Sequence, residues 1–178
     1  MVVTGVPGAG KTTLGSALAG ALRAPFLSLD AIKERLYGDG AENRDPHELR
    51  LAAEAELAVQ LYAAERTVVV DIWVAPQRDT DRIATLLRRQ SRNITELLCR
   101  VPADVAVARY VRRQRSGPHR PADEPTLQRI RAAVDHLEPM GIGDCLEIDT
   151  SRPVNLDWVL ARLHPQSNKC RLPRRHDR

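Results

Sequence analysis

The side chains best suited to chemistry come in one stretch near the start of the chain, Gly5-Val6-Pro7-Gly8-Ala9-Gly10-Lys11-Thr12. The stretch fits the pattern GxxxxGK followed by Ser or Thr, whose backbone N–H groups wrap phosphate oxygens. We expect Lys11 to reach the β- and γ-phosphates of a nucleotide and the Thr12 hydroxyl to bind Mg²⁺. The residues expected to contact the phosphates are Gly8, Ala9, Gly10, Lys11, Thr12 and Thr13.

The residues around this loop provide the context that such a motif requires. Met1-Val2-Val3-Thr4 is a short β-branched run, and Leu14, Leu18 and Leu22 follow the loop at helical spacing. The order strand, glycine loop and helix disfavours the alternative, which is a glycine-rich turn without a ligand.

Asp30 follows a short apolar run, Phe26-Leu27-Ser28-Leu29, which we interpret as the second strand. A carboxylate at the carboxyl end of a parallel strand lies where ligands of open α/β sheets bind. There Asp30 could accept the proton of a substrate hydroxyl as the γ-phosphoryl group of ATP is transferred. It could also, or instead, cap the helix predicted over residues 31–37.

A second acid ends the clearest buried strand of the sequence, Thr67-Val68-Val69-Val70-Asp71-Ile72-Trp73. Asp71 resembles a Walker B acid, which holds Mg²⁺ directly or through water. The alternative is an acid that only forms hydrogen bonds at the strand end. The predicted metal ligands are therefore Thr12 and Asp71.

An arginine cluster with no acid among its twelve residues consists of Arg109, Arg112, Arg113, Arg115 and Arg120. It could be a solvated helix face or a nucleic-acid patch. We favour a lid, at about residues 112–124, that closes over ATP and places guanidinium groups on the transferred phosphoryl group. Arg115 and Arg120 near its tip are candidates for catalysis, whereas Arg109 or Arg113 could stack on the adenine.

The remaining elements alternate regularly. Helices are predicted over residues 47–65, 81–92, 103–114, 125–136 and 156–163, and strands over 95–101 and 145–149. Five strands alternating with helices indicate an α/β protein with a doubly wound parallel sheet. The turn Thr150-Ser151-Arg152-Pro153 would lie beside the adenine, with Arg152 as a cofactor contact, although a simple turn is nearly as well supported.

Composition narrows the class of protein. The net charge of +4 is contributed by the tail, residues 165–178, which holds five basic residues and one acid, so the body has 22 of each sign. We expect that tail to be disordered, and the neutral body disfavours a nucleic-acid partner.

No apolar stretch reaches about 20 residues, so we expect a cytoplasmic protein that does not enter the membrane. Three cysteines without paired spacing argue against disulfides and zinc, and Cys99 and Cys145 are predicted core residues.

Several short segments together resemble small P-loop kinases and, more widely, AAA-family ATPases. They are the glycine loop, Leu29-Asp30-Ala31-Ile32-Lys33, Val70-Asp71, the arginines of residues 109–115, Leu137-Glu138-Pro139 and Ile148-Asp149-Thr150-Ser151. The closest groups are the zeta-toxin-like, chloramphenicol-phosphotransferase-like and polynucleotide-kinase-like phosphotransferases. The resemblance covers residues 1–163. It implies a three-layer P-loop NTPase sandwich with strand order 2-3-1-4-5.

The same resemblance implies roles for individual residues. Asp30 would be the base for the acceptor hydroxyl, and Lys33 would face the substrate. Two residues depart from the pattern. Lys33 stands where polynucleotide kinases have an arginine, and Trp73 stands where smaller residues are common near the acceptor.

The sequence therefore predicts an ATP- and Mg²⁺-dependent phosphotransferase that acts on a hydroxyl of a small metabolite or antibiotic. A kinase of nucleosides, nucleotides or nucleic-acid 5′ ends is the alternative among enzymes. A regulator that binds a nucleotide and signals by lid closure is the alternative from another class. No NKxD motif occurs, so guanine is disfavoured.

Overall fold

Five short strands form one fully parallel sheet in the computed structural model, which describes residues 1–41, 45–75, 79–91, 93–113 and 117–163. The strands are β1 (Val2–Thr4), β2 (Phe26–Ser28), β3 (Val69–Asp71), β4 (Thr95–Arg100) and β5 (Asp144–Asp149). Their order across the sheet is β2-β3-β1-β4-β5, which confirms the predicted topology. Val3 pairs with Asp71 on one side and with Leu97 on the other, so β1 is the central strand.

Seven α-helices of the described part of the chain connect and follow these strands. They are α1 (Lys11–Leu22), α2 (Leu29–Leu36), α3 (Pro46–Tyr62), α4 (Thr80–Gln90), α5 (Ala103–Arg112), α6 (Glu124–Asp135) and α7 (Leu156–Leu163). A short π-helical turn, Tyr37–Ala41, follows α2. None of the helices in the described ranges has the length and apolar character needed to span a membrane.

Alternation along β1 divides the core into two parts. Val3 packs in a cluster with Leu18 of α1 and Val159 of α7, whereas Val2 packs with Leu57 of α3 and Ile83 of α4. Successive side chains of a strand point to opposite faces, so helices cover the sheet on both sides. The three-layer α/β sandwich predicted from the sequence is therefore confirmed.

The local position of Asp30 differs from the prediction. The second strand ends at Ser28, and Asp30 lies in the first turn of α2. The N-cap of that helix is Ser28, whose hydroxyl accepts from the Ala31 N–H at 3.4 Å. Asp30 is thus not the helix cap, because a serine two residues earlier already has the extended conformation and the oxygen that a cap requires.

The prediction that Cys145 is a core residue is wrong. Cys145 is exposed on β5, unlike Cys99, which is buried on β4. β5 is an edge strand whose pattern is mostly exposed, so a small apolar residue there does not enter the core.

Candidate functional site

The glycine loop joins the carboxyl end of β1 to the start of α1, and its backbone needs glycine. Gly8 has φ +86°, and a Cβ at this position would lie 2.2 Å from the carbonyl oxygen of Ala106. Gly10, at φ +80°, is the N-cap of α1. Helix α1 therefore begins directly at the loop, and its unpaired N–H groups and positive end face the space where an anion would bind.

Two contacts inside the loop involve the carbonyl of Val6. The Ala9 N–H donates to it at 3.1 Å, and the Lys11 ammonium donates to it at 3.2 Å. Lys11 is 8% exposed, so its ammonium group is already folded over the loop. Cys99 lies beneath the loop, where burial raises the pKa of its thiol to about 12, and it is therefore not a nucleophile.

The two predicted metal ligands meet in space. The Thr12 hydroxyl donates to Asp71 Oδ2 at 2.5 Å, although the residues are 59 positions apart in sequence. Asp71 is the last residue of β3 and is 4% exposed, whereas Thr12 is exposed. An exposed hydroxyl held by a buried carboxylate next to a phosphate loop suits the Thr–Asp pair that places Mg²⁺ in P-loop proteins.

One large cavity of about 950 Å³ extends from the loop to α2 and α3. Lys11 and Thr12 line one part of it, and Asp30 and Lys33, half-buried on α2, line another. The candidate base and the phosphate loop therefore open into the same space, whose volume is in the range of small-molecule sites. Tyr37, at the end of α2, and Trp73, which the resemblance places near the acceptor, also line it.

The segment proposed as a lid contacts helix α2 in this structure. Gly117 packs against the Tyr37 ring so closely that a Cβ would be 3.2 Å from a ring carbon. His119 Nε2 lies 2.5 Å from Glu34 Oε1, and the His119 side chain is 6% exposed. The segment therefore reaches across the cavity to the helix that carries Asp30.

The predicted lid arginines have different positions. Arg113 and Arg120 line the cavity, and the carbonyl of Arg120 accepts from the Tyr110 hydroxyl at 2.8 Å. Arg112 is exposed at the end of α5. Arg115 lies outside the described residues, as does the tail of residues 165–178.

Arg109 joins α5 to the turn after β5. Its Nη1 and Nη2 donate to the carbonyls of Thr150 and Ser151 at 2.9 and 3.2 Å. The Thr150 hydroxyl in turn donates to the Ala9 carbonyl at 2.7 Å, so this turn supports the phosphate loop. Arg152 is exposed and is not among the described residues that line the cavity. Contacts of Arg109 and Arg152 with a nucleotide stay predictions.

A network of four charged side chains beside the cavity was not predicted. Glu54 on α3 is 4% exposed and Asp79 is 2% exposed, and both contact Arg50 and Arg82. The spacing of Arg50 and Glu54, one helical turn apart, is a signal in the sequence. The pairs Arg50–Asp79 and Glu54–Arg82 each join residues about 30 positions apart, and no local pattern indicates them.

Glu96 is a second buried acid that the sequence did not single out. It is fully buried on β4, and it accepts from the Thr4 hydroxyl at 2.7 Å and the Met140 N–H at 2.9 Å. Burial raises the pKa of its carboxyl above the ordinary value, and the two hydrogen bonds only partly oppose this. Glu96 and Thr4 border a separate cavity of about 220 Å³.

A parallel sheet in this order, whose central strand enters a phosphate loop, defines a P-loop NTPase fold. A family model described as "AAA domain" matches residues 1–137, and the chain belongs to that family. No curated protein matches the sequence.

Solved structures of several kinases have a similar fold. A putative kinase from Chloroflexus aurantiacus J-10-fl is 22% identical with a TM-score of 0.74, and the match covers 92% of this chain and 96% of that one. Shikimate kinase from Acinetobacter baumannii is 18% identical with a TM-score of 0.65, and the match covers 96% of this chain and 94% of that one. A gluconokinase from Sinorhizobium meliloti 1021 is 23% identical with a TM-score of 0.58, and the match covers 93% of each chain. At these identities the likeness shows the fold alone.

Proposed function

We propose that the protein is a phosphotransferase that moves the γ-phosphoryl group of ATP to a hydroxyl of a small molecule. The observation that carries this proposal is the shared cavity, which Asp30 on α2 and the phosphate-loop residues Lys11 and Thr12 line together. A nucleotide site of a regulator needs no carboxylate facing the phosphates, whereas transfer to a hydroxyl needs a group that accepts its proton. The similarity of the fold to solved kinase structures also supports a phosphotransferase.

In this reaction the acceptor oxygen forms a bond to the γ-phosphorus, and the bond from that phosphorus to the β–γ bridging oxygen breaks. The acceptor proton goes to the Asp30 carboxylate, and ADP leaves. Lys11 and the loop amides stabilise the charge on the β- and γ-phosphates, and Arg120 contributes from the lid. A catalytic contribution of Arg115, which lies outside the described residues, stays a prediction.

Thr12 and Asp71 would hold Mg²⁺, which neutralises charge on the phosphates. The described residues contain no group of three or more His, Cys, Asp or Glu that could hold a metal ion. This fits Mg²⁺, which is usually bound by one or two protein ligands together with water and substrate phosphates. Lys33, one turn from Asp30 on the same helix, would face the acceptor.

The test is to incubate the protein with γ-labelled ATP and a panel of hydroxyl-bearing metabolites and antibiotics. Asp30→Asn should lower acceptor phosphorylation by about a hundredfold or more, since a positioned general base contributes about 10²–10⁴-fold. Asp39→Asn, which removes an exposed carboxylate beyond α2, is the matched control and should leave it unchanged.

Two outcomes separate the alternatives that the sequence left open. Hydrolysis of ATP that needs no acceptor and survives the Asp30 substitution would contradict the kinase and favour a regulator. Labelling of a 5′-hydroxyl oligonucleotide or a nucleoside, with no labelling of other metabolites, would favour a nucleic-acid or nucleoside kinase.

A further inference from the structure

Arg50 carries a rigidly held guanidinium in the part of the large cavity that α2 and α3 line. Its Nε donates to Glu54 Oε1 at 2.9 Å, and its Nη2 donates to the Trp73 carbonyl at 2.9 Å. Its side chain is 14% exposed and lines the cavity together with Asp30 and Lys33. A guanidinium in this position has lost most of its water and can present donors in only one direction.

The neighbours of Arg50 fix this direction. Glu54 also contacts Arg82, whose Nη2 donates to Glu54 Oε1 at 3.0 Å and whose Nε is 2.8 Å from Oε2. Asp79 lies 3.5 Å from Arg50 Nη2 and 3.2 Å from Arg82 Nη2. Two carboxylates thus hold two guanidiniums from behind, and such supporting contacts are how proteins orient a binding group.

One nitrogen of Arg50 has no partner within the described part of the chain. Nε and Nη2 are both used within the network, whereas Nη1 forms no hydrogen bond with any residue that the structure describes. Burying an arginine costs free energy, and a further carboxylate or a phosphate at Nη1 would satisfy the remaining donors.

The charge of the cavity also favours an anion. Among the described lining residues, lysines and arginines outnumber carboxylates by seven to two, an excess of five positive charges. Behind the lining, Glu54 and Arg82 offset each other and Asp71 offsets one positive charge, while Mg²⁺-bound ATP, with a net charge of about −2, offsets two more. About two positive charges therefore remain for the acceptor.

We infer that the acceptor carries an anionic group, a carboxylate or a phosphate ester, and that Arg50 binds this group while the acceptor hydroxyl faces Asp30. This inference rests on the proposed function and adds the chemical class of the substrate. Arg50 is the specificity-determining residue, Lys33 adds positive charge, and Glu54, Asp79 and Arg82 are positioning residues.

Binding can be measured without turnover. The protein is saturated with Mg²⁺ and a non-hydrolysable ATP analogue, which occupies the phosphate loop, and is then titrated calorimetrically with matched hydroxyl compounds. Gluconate against sorbitol tests a carboxylate, and glucose 6-phosphate against glucose tests a phosphate ester. At least one anion should bind about tenfold or more tightly than its neutral partner, as a charged hydrogen-bonded contact requires.

Two variants test Arg50 without leaving the buried Glu54 carboxylate next to a neutral side chain. Arg50→Lys keeps the positive charge but cannot form two parallel hydrogen bonds to an anion. The double variant Arg50→Gln with Glu54→Gln removes both charges of the pair. Each should lose about tenfold in affinity for the anion, with affinity for the neutral partner and the ATP analogue unchanged. Arg66→Gln, at an exposed arginine outside the cavity, is the control and should bind like the wild type.

Equal binding of anionic and neutral partners, or an anion preference that survives in both variants, overturns the inference. So does the absence of anion binding up to about 10 mM, which is above the usual range of KM. Phosphorylation of neutral acceptors without preference would overturn it and leave the proposed function intact. Arg50-dependent anion binding without phosphoryl transfer to any acceptor would support the site and contradict the proposed function.

Discussion

Glu54→Ala should be strongly destabilising, although the substitution is on a helix that is exposed along one side. Glu54 is 4% exposed and is held by Arg50 and Arg82, so its loss leaves two guanidiniums without their main partner. Breaking a buried ion pair by removing one partner costs about 3–5 kcal/mol. We expect about 3 kcal/mol, the lower end of this range, because Asp79 remains and the Arg82 side chain is 36% exposed.

Helix α3 offers a matched control two residues along. Glu56 also pairs with an arginine, Arg35, but its side chain is 28% exposed and that of Arg35 is 50% exposed. Surface pairs of this kind contribute about 0.2–1 kcal/mol, so Glu56→Ala should cost less than about 1 kcal/mol. The two variants therefore separate a buried charge network from an ordinary surface pair.

The measurement is the free energy of unfolding from urea titration, with the melting temperature as a second readout. For a chain of this size, about 3 kcal/mol corresponds to a fall in melting temperature of roughly 6–12 °C. If Glu54→Ala and Glu56→Ala cost the same, below about 1 kcal/mol, the network does not stabilise the fold and does not hold Arg50 in a fixed orientation.

Three further predictions address other parts of the site. Asp71→Asn should raise the Mg²⁺ concentration for half-maximal nucleotide binding by about 10–100-fold, because this carboxylate orients the metal-binding hydroxyl; an unchanged Mg²⁺ titration would contradict this. His119→Gln should raise the KM for ATP several-fold, with the melting temperature almost unchanged, because it loosens the contact with Glu34 that joins the lid to α2; unchanged kinetics would show that this contact has no role in closure. Glu96→Gln should raise the melting temperature at neutral pH, with a gain that shrinks as the pH falls toward 4.5, the ordinary value for the Glu96 carboxyl. The sign follows because a raised pKa in the folded protein means that ionisation of Glu96 costs stability as the pH rises; a variant less stable than the wild type at neutral pH would contradict this.

The phosphate loop and the sheet could be predicted because their signals are local. A glycine spacing, a β-branched run and the alternation of strands and helices each lie within a few residues, and the order β2-β3-β1-β4-β5 follows from the resemblance. The pairing of Thr12 with Asp71 was also accessible, because each residue belongs to its own recognisable motif.

The Arg50 network could not be predicted, because its energy comes from contacts between separate helices. Arg50 and Glu54 look like an ordinary surface pair in the sequence, and only the packing of α3 against α4 buries them beside Asp79. The exposure of Cys145 could not be predicted either. A strand pattern in the sequence indicates that a residue belongs to a sheet, yet it does not show which strand lies at the edge of that sheet.

Transfer of the γ-phosphoryl group to an acceptor can be followed directly. Phosphorus NMR of a reaction containing protein, Mg²⁺, ATP and the best acceptor of the panel resolves a phosphate ester from inorganic phosphate. We predict that the ester forms in step with ADP, and that Asp30→Asn suppresses both together. Formation of ADP and inorganic phosphate alone, at the same rate with and without acceptor, would show that the protein is not a phosphotransferase.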